Sequence, residues 1–217
     1  MAPHMGCWKA AALLLVLTGI SCSRSGGAPR RELEPLYDST TGRLIQLAFD
    51  ANRNGIMDTW TEMDGAHAIR SFADQNEDGR IDRWEYYDAA ARLVKVGFSR
   101  KDDGTPDAWA YSSGDGSLER VEISSSADEA RIDRREFYER VERRMDPVLA
   151  RAEEDTNGDG RPDRWETYRA GELHTVAWDL TADGLPDRRV TYQRSTLVSI
   201  ESDPDETGEF RTRVVVK

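Results

Sequence analysis

Reactive side chains are scarce in this chain. Its 217 residues include two cysteines, Cys7 and Cys22, and three histidines, His4, His67 and His174. No Gly-x-Ser-x-Gly turn is present to expose a serine nucleophile, and no glycine-rich loop is present to cradle a phosphate. Thiol, imidazole and hydroxyl catalysis have little to assemble from, so the chain reads as a non-enzyme. Long apolar runs are lacking as well. The one candidate, residues 10–17, is too short to cross a bilayer. Positive charge is in deficit, with 30 Lys and Arg against 41 Asp and Glu for a net −11. A balance of that sign repels nucleic acid and anionic membrane surfaces.

What the chain does have is an acidic loop that recurs about every 24 residues. Aligned on a glycine, the copies are Asp50-x-Asn52-x-Asn54-Gly55, Asp74-x-Asn76-x-Asp78-Gly79, Asp155-x-Asn157-x-Asp159-Gly160 and Asp179-x-Thr181-x-Asp183-Gly184. Weaker copies centre on Gly104, Ala130 and Gly208. The intervals of 24, 25, 26, 30, 24 and 24 residues mark a repeat array of seven loop units.

A calcium ion takes six to eight oxygens at roughly 2.3 to 2.6 Å. In residues 74–85, oxygens at positions 1, 3 and 5 (Asp74, Asn76, Asp78) converge only if the backbone turns sharply at position 6, which Gly79 permits. Arg80 at position 7 offers its carbonyl, Asp82 at position 9 reaches the ion directly or through water, and Glu85 at position 12 closes the shell. Residues 155–166 repeat the set through Asp155, Asn157, Asp159, the carbonyl of Arg161, Asp163 and Glu166. The loop of Asp50, Asn52, Asn54 and Asp58 lacks an acid at position 12. That of Asp179, Thr181, Asp183 and Asp187 has Val190 there. The copies at Gly104, Ala130 and Gly208 read as metal-free turns. An Asx turn with glycine in the left-handed region would need no ion at any of them.

Between loops, Asp-x-Trp recurs at Trp60, Trp84, Trp109 and Trp165, then comes a short turn, then Leu-x-x-Val-x-Phe/Trp leading into the next loop. Aromatic and β-branched enrichment between turn signals predicts hairpins. Each unit is thus strand, tight turn, strand, acidic loop, and the fold class is mainly β, an antiparallel meander or solenoid-like array. The tryptophans are expected to form the shared core stripe. Residues 210–216 supply a closing strand. One interruption breaks the pattern: Phe137, Val141, Met145 and Leu149 fall four apart, which predicts a short helical insertion at about 134–153.

Ahead of the repeats, Lys9, the apolar run and Thr18-Gly19-Ile20-Ser21-Cys22 have the shape of a secretory signal. Cys22 there resembles the lipidation site of bacterial lipoproteins, which implies a signal peptide at 1–21, an acylated Cys22, a Ser- and Gly-rich tether at 22–31 and a single repeat domain at 32–217. With Lys9 the one basic residue ahead of Cys22, the remainder is one unit more negative than the whole chain. Plain cleavage nearby would leave a secreted or periplasmic protein instead.

Two loop-level resemblances follow. Residues 155–166 resemble an EF-hand loop, which would make the protein a calcium sensor with flanking helices. The Gly-x-Pro-Asp form at Gly160 and Gly184 resembles the calcium loops of thrombospondin type 3 repeats and of many bacterial surface proteins. Pro106, Pro162 and Pro186 at position 8 have no N–H for the bridge that pairs EF-hands, which favours the second. The chain as a whole resembles a repeat-containing surface lipoprotein. That resemblance implies calcium as cofactor, an outer-membrane location, and a structural or adhesion role with a protein or cell-surface partner. An accessory or inhibitor subunit of a periplasmic enzyme or secretion system is the further alternative.

Overall fold

The computed structural model describes residues 33–125, 131–142 and 144–216, all within the unit Arg31–Lys217. The signal, the tether and Cys22 lie outside the described residues. Fifteen strands follow one another: β1 (Leu33–Tyr37), β2 (Leu44–Phe49), β3 (Thr59–Asp64), β4 (His67–Ala73), β5 (Arg83–Tyr87), β6 (Leu93–Phe98), β7 (Ala108–Ser112) and β8 (Leu118–Ile123). Then come β9 (Arg134–Glu139), β10 (Val148–Glu154), β11 (Arg164–Arg169), β12 (Glu172–Trp178), β13 (Arg188–Gln193), β14 (Thr196–Pro204) and β15 (Phe210–Val215). They form one antiparallel sheet in strict chain order from β1 to β15, and the first and last strands do not pair. The expected meander of hairpins is therefore present.

Such a meander puts its two kinds of connection on opposite margins. Tight turns such as residues 38–43, 88–92 and 113–117 share one margin, closed by bonds such as Asp88 N–H to Arg92 O at 3.0 Å and Ser113 N–H to Ser117 O at 2.8 Å. The nine-residue connections 50–58, 74–82, 99–107, 155–163 and 179–187 and the ten-residue connection 124–133 share the other, the loop margin. Residues 205–209 also lie on the loop margin but fold as a tight turn, with Asp205 N–H on Glu209 O at 2.9 Å and Gly208 N–H on Asp205 O at 2.9 Å. The copy read at Gly208 is thus a short turn rather than a seventh loop.

The helical insertion at about 134–153 is not there. Residues 134–139 and 148–154 are strands β9 and β10, paired from Val148↔Glu139 to Glu154↔Arg134. The four-residue spacing of apolar side chains lost to the two-residue alternation that places Arg134, Glu136 and Tyr138 on one face, where they bond to one another. Pairing with the strands on either side then fixes the segment. The unit of 30 residues is long because its turn, 140–147, is long.

Register carries side chains across the sheet in continuous rows. One row runs Glu34, Ala48, Trp60, Phe72, Trp84, Gly97, Trp109, Glu122, Arg135, Glu153, Trp165, Ala177, Arg189, Glu201, Arg213. The next residue on each strand faces the opposite side and gives the row Thr61, Ser71, Glu85, Val96, Ala110, Val121, Glu136, Ala152, Glu166, Val176, Val190, Ile200. The most buried apolar side chains, Ala152 at 1% and Val176 at 3% exposure, belong to this second row. The tryptophans expected in the core are only half-buried.

Among the described residues no other element covers either face, so the sheet is a single layer. Its own long side chains do the covering. The Lys95 ammonium lies 3.7 Å from the Trp109 ring centroid and 5.2 Å from that of Tyr111. The Arg151 guanidinium lies 3.5 Å from the Phe137 centroid, and that of Arg70 lies 5.1 Å from Phe72. Each such contact contributes about 0.5 to 2 kcal/mol and lays an alkyl stem over apolar surface.

Candidate metal-binding loops

The loops share one backbone. Position 4 takes a positive φ at Arg53, Glu77, Asp102, Gly158 and Ala182, and position 6 does so at Gly55, Gly79, Gly104, Gly160 and Gly184. Position 6 runs at φ 84 to 101, which a side chain resists, and this is the physical reason for glycine there. The two turns aim successive N–H groups inward.

Position 1 receives them. The carboxylate of Asp74 accepts from Asp78 N–H at 3.2 Å and Gly79 N–H at 2.9 Å, and that of Asp155 from Gly158 N–H at 2.6 Å and Gly160 N–H at 2.9 Å. Asp50 and Asp179 do the same, with Gly55 N–H at 2.6 Å and Gly184 N–H at 2.7 Å. Position 3 accepts from position 5, as Asn52, Asn76 and Asn157 do from Asn54, Asp78 and Asp159 at 2.9 to 3.0 Å. Thr181 stands differently: its own N–H donates to Asp179 at 3.1 Å and to Asp187 at 2.9 Å. Position 5 accepts from position 7, as Asp78 does from Arg80 N–H at 2.9 Å, Asp159 from Arg161 N–H at 2.8 Å and Asn54 from Ile56 N–H at 2.8 Å. In the last loop Asp183 accepts from Leu185 N–H at 2.8 Å.

Position 9 closes the loop from its far end. Asp82 accepts Gln75 N–H at 2.7 Å, Asp163 accepts Thr156 N–H and Asn157 N–H at 3.0 Å each, Asp187 accepts Leu180 N–H at 2.5 Å, and Asp58 accepts Ala51 N–H at 3.1 Å. Several of the acids at positions 1 and 9 are among the most buried polar groups described: Asp58 is 4% exposed, Asp163 6%, Asp74 7%. The N–H groups around Asp155 and Asp179 hold those carboxyls below the ordinary range, against a partial burial that acts to raise them.

Position 12 is engaged by partners outside the loop. Glu85 bonds to Arg83 at 2.7 Å and to the Tyr87 hydroxyl, and Glu166 bonds to Arg134 at 2.9 Å, to Arg164 at 2.6 Å and to Tyr168 at 2.7 Å. Three residues on from position 9 is the same face on a helix but the opposite face on a strand, and β5 and β11 are strands. The flanking helices of an EF-hand are likewise replaced by β10 and β11. Among the described residues no three acidic, histidine or cysteine side chains converge as a metal centre.

Side chains stitch loops to their neighbours. Asn52 donates its amide to Glu77 at 2.6 Å, Asn76 donates to Asp102 at 2.6 Å, and Asn54 reaches Glu77 as well. Arg80 spans 3.2 Å to the carbonyl of Asp102, and Arg131 spans 2.9 Å to that of Gly158. Thus positions 3 and 7 of one loop clasp position 4 of the next. A partial signal was the acid or glycine at position 4 one repeat after Asn52, Asn76, Arg80 and Arg131, while Asn157 and Arg161 are followed there by Ala182. Crowding follows: the Asp102 carboxyl is raised above the usual range by its hydrogen bond with Asp82, by partial burial and by the charges of Asp78 and Asp82.

The loop at Gly104 is informative because it lacks acids at positions 1 and 3. Ser99 Oγ there accepts Asp103 N–H at 3.1 Å and Gly104 N–H at 3.3 Å, and the backbone turns are the same. At 125–133, residues 126–130 lie outside the description, but Asp133 still accepts Ser125 N–H at 2.9 Å. A serine therefore suffices to shape the loop. His67 and His174 stand apart from it, the latter with Nδ1 3.1 Å from Tyr192 O.

No family model matches the chain, and no curated protein matches it. Among solved structures it is similar to a porin-like protein from Bacteroides uniformis at 12% identity, over 84% of this chain and 89% of that one, with a TM-score of 0.20. A TM-score at that level carries no statement about fold or function.

Proposed function

We propose that this chain is a calcium-binding, non-enzymatic module of the bacterial cell envelope, anchored by lipid on Cys22 and serving as a scaffold or adhesion surface on the outer membrane. One observation supports the calcium reading above the rest. Ser99 shapes its loop without a charge, so the carboxylates of Asp50, Asp74, Asp155 and Asp179 bring negative charge that loop geometry does not require. Stacking the loops along one margin multiplies the mutual repulsion, and a divalent cation relieves it.

The donor set limits the affinity. Positions 1, 3 and 5 and the carbonyl of position 7 supply oxygens, but the bidentate acid that completes a tight site faces away in Glu85 and Glu166. Water would fill the remaining positions, and dissociation constants of order 10⁻⁴ to 10⁻³ M, as in extracellular calcium modules, are expected. An ion that binds only the folded chain stabilises it by mass action. The test is a pair of melting curves, one in several millimolar calcium and one in excess chelator, with Asp74→Asn/Asp155→Asn as control. A calcium-dependent rise in Tm that shrinks in the double variant is expected; coincident curves for the parent chain would refute calcium binding. Incorporation of a labelled fatty acid that Cys22→Ala abolishes tests the anchor.

A further inference from the structure

The two edges of the sheet are the least explained part of its surface. Among the described residues β1 and β15 each have one neighbour, so each leaves a side of backbone C=O and N–H groups unpaired, Pro35 of β1 having no N–H to offer. Both carry exposed apolar side chains: Leu33 at 53%, Leu36 at 53% and Tyr37 at 56% on β1, Val214 at 55% and Val215 at 60% on β15. A free edge of this kind is a template for another strand.

The rows of the sheet say which strand. Toward the carboxyl end the tryptophan-bearing row alternates in charge, with Arg189 Nε 2.7 Å from Glu201 and Arg213 Nε 3.8 Å from the same carboxylate. Among the described residues Arg213 ends that row at one edge, and Glu34 begins the same row at the other edge. Being first and fifteenth in an antiparallel meander, β1 and β15 run in the same direction. A second copy set beside the first with the loop margins in line would place its β1 next to β15 as a parallel pair. In that register Glu34 meets Arg213, Pro35 meets Val214 and Leu36 meets Val215, so opposite charges face each other and apolar residues face apolar residues.

We propose that the chain associates with copies of itself head to tail, β15 of one molecule pairing with β1 of the next, so that the sheet and the row of acidic loops continue from copy to copy. The contact is heterologous, and it generates open arrays or rings rather than a two-fold dimer. It does not depend on calcium binding and is tested in chelator as well as in calcium.

The experiment is sedimentation velocity over a concentration series on the chain carrying Cys22→Ala, which removes the lipid. Concentration-dependent oligomers are expected. Glu34→Arg should reduce the material to monomer, and Glu34→Arg/Arg213→Glu should restore association. Both side chains are exposed, Arg213→Glu gives up the pairing with Glu201, and circular dichroism of each variant checks that the fold is kept. A Leu36→Cys/Val215→Cys pair should oxidise into a ladder of covalent multimers. A chain that stays monomeric at every concentration, oligomers indifferent to Glu34→Arg, or a disulfide that forms only within one molecule would each overturn the proposal.

Discussion

Gly97 shows how closely one residue can be specified in a sheet without a second layer. It lies between Trp84 and Trp109 in the tryptophan row, and a Cβ added there would stand 2.6 Å from the Trp109 ring. Its φ is ordinary, so what demands glycine is the indole lying across it. Gly79 is the reverse case, with nothing within 4 Å of an added Cβ but a φ of +90. Gly97→Ala is expected to push Trp109 off Gly97 and away from the Lys95 ammonium, at a cost of about 1 to 3 kcal/mol. Chemical denaturation followed by tryptophan fluorescence measures it, and an unchanged midpoint would show that the ring moves freely. The Asp-x-Trp motif was plain in the sequence; the need for glycine opposite it was not, because it arises from a neighbour 12 residues away across the β6–β7 pair.

At the level of the loop, pH exposes what holds it together. Asp155 and Asp179 bind protons more weakly folded than unfolded, because folding gives their carboxylates N–H donors. Their contribution is therefore present above the ordinary aspartate range near pH 4 and is lost as pH falls through the lower folded values. Asp102 works the other way. Its raised carboxyl, next to Asp82 and Asp78, weakens the folded state while charged. Tm in chelator should hold between pH 7 and 5 and fall below about pH 4, and Asp102→Asn should raise Tm at pH 7 without removing the acid fall. A melting temperature flat to pH 2 would count against loops held by carboxylates. The loops, their period and the hairpins between them could be read from the sequence because side-chain pattern and turn chemistry are local. The positions of Glu85, Glu166 and the 134–153 segment could not, since spacing in the chain does not say whether a helix or a strand will carry it. Only the pairing of strands decides that, and it turned position 12 to the far face.

Across the molecule, each strand touches little besides the strands beside it, so stability is a chain of nearest-neighbour terms rather than one closed core. The ends then fray first. Hydrogen exchange should find the least protected amides in β1 and β15 and the most protected in the central strands, and uniform protection over all fifteen would argue for a covered sheet. Half-buried tryptophans, arginine and lysine stems laid over rings, and the buried Val96, Ala152, Val176 and Val190 on the other face together serve the purpose that a second layer serves elsewhere.

Because the acidic loops between hairpins share one margin of the sheet and the turns within hairpins share the other, adding or deleting a whole hairpin leaves the flanking registers as they were. Two strands at about 4.8 Å each widen the sheet by roughly 10 Å. Width is thus a quantity this architecture can change in fixed steps, and the row of carboxylates lengthens with it, one gradation at a time, like the marks on a ruler.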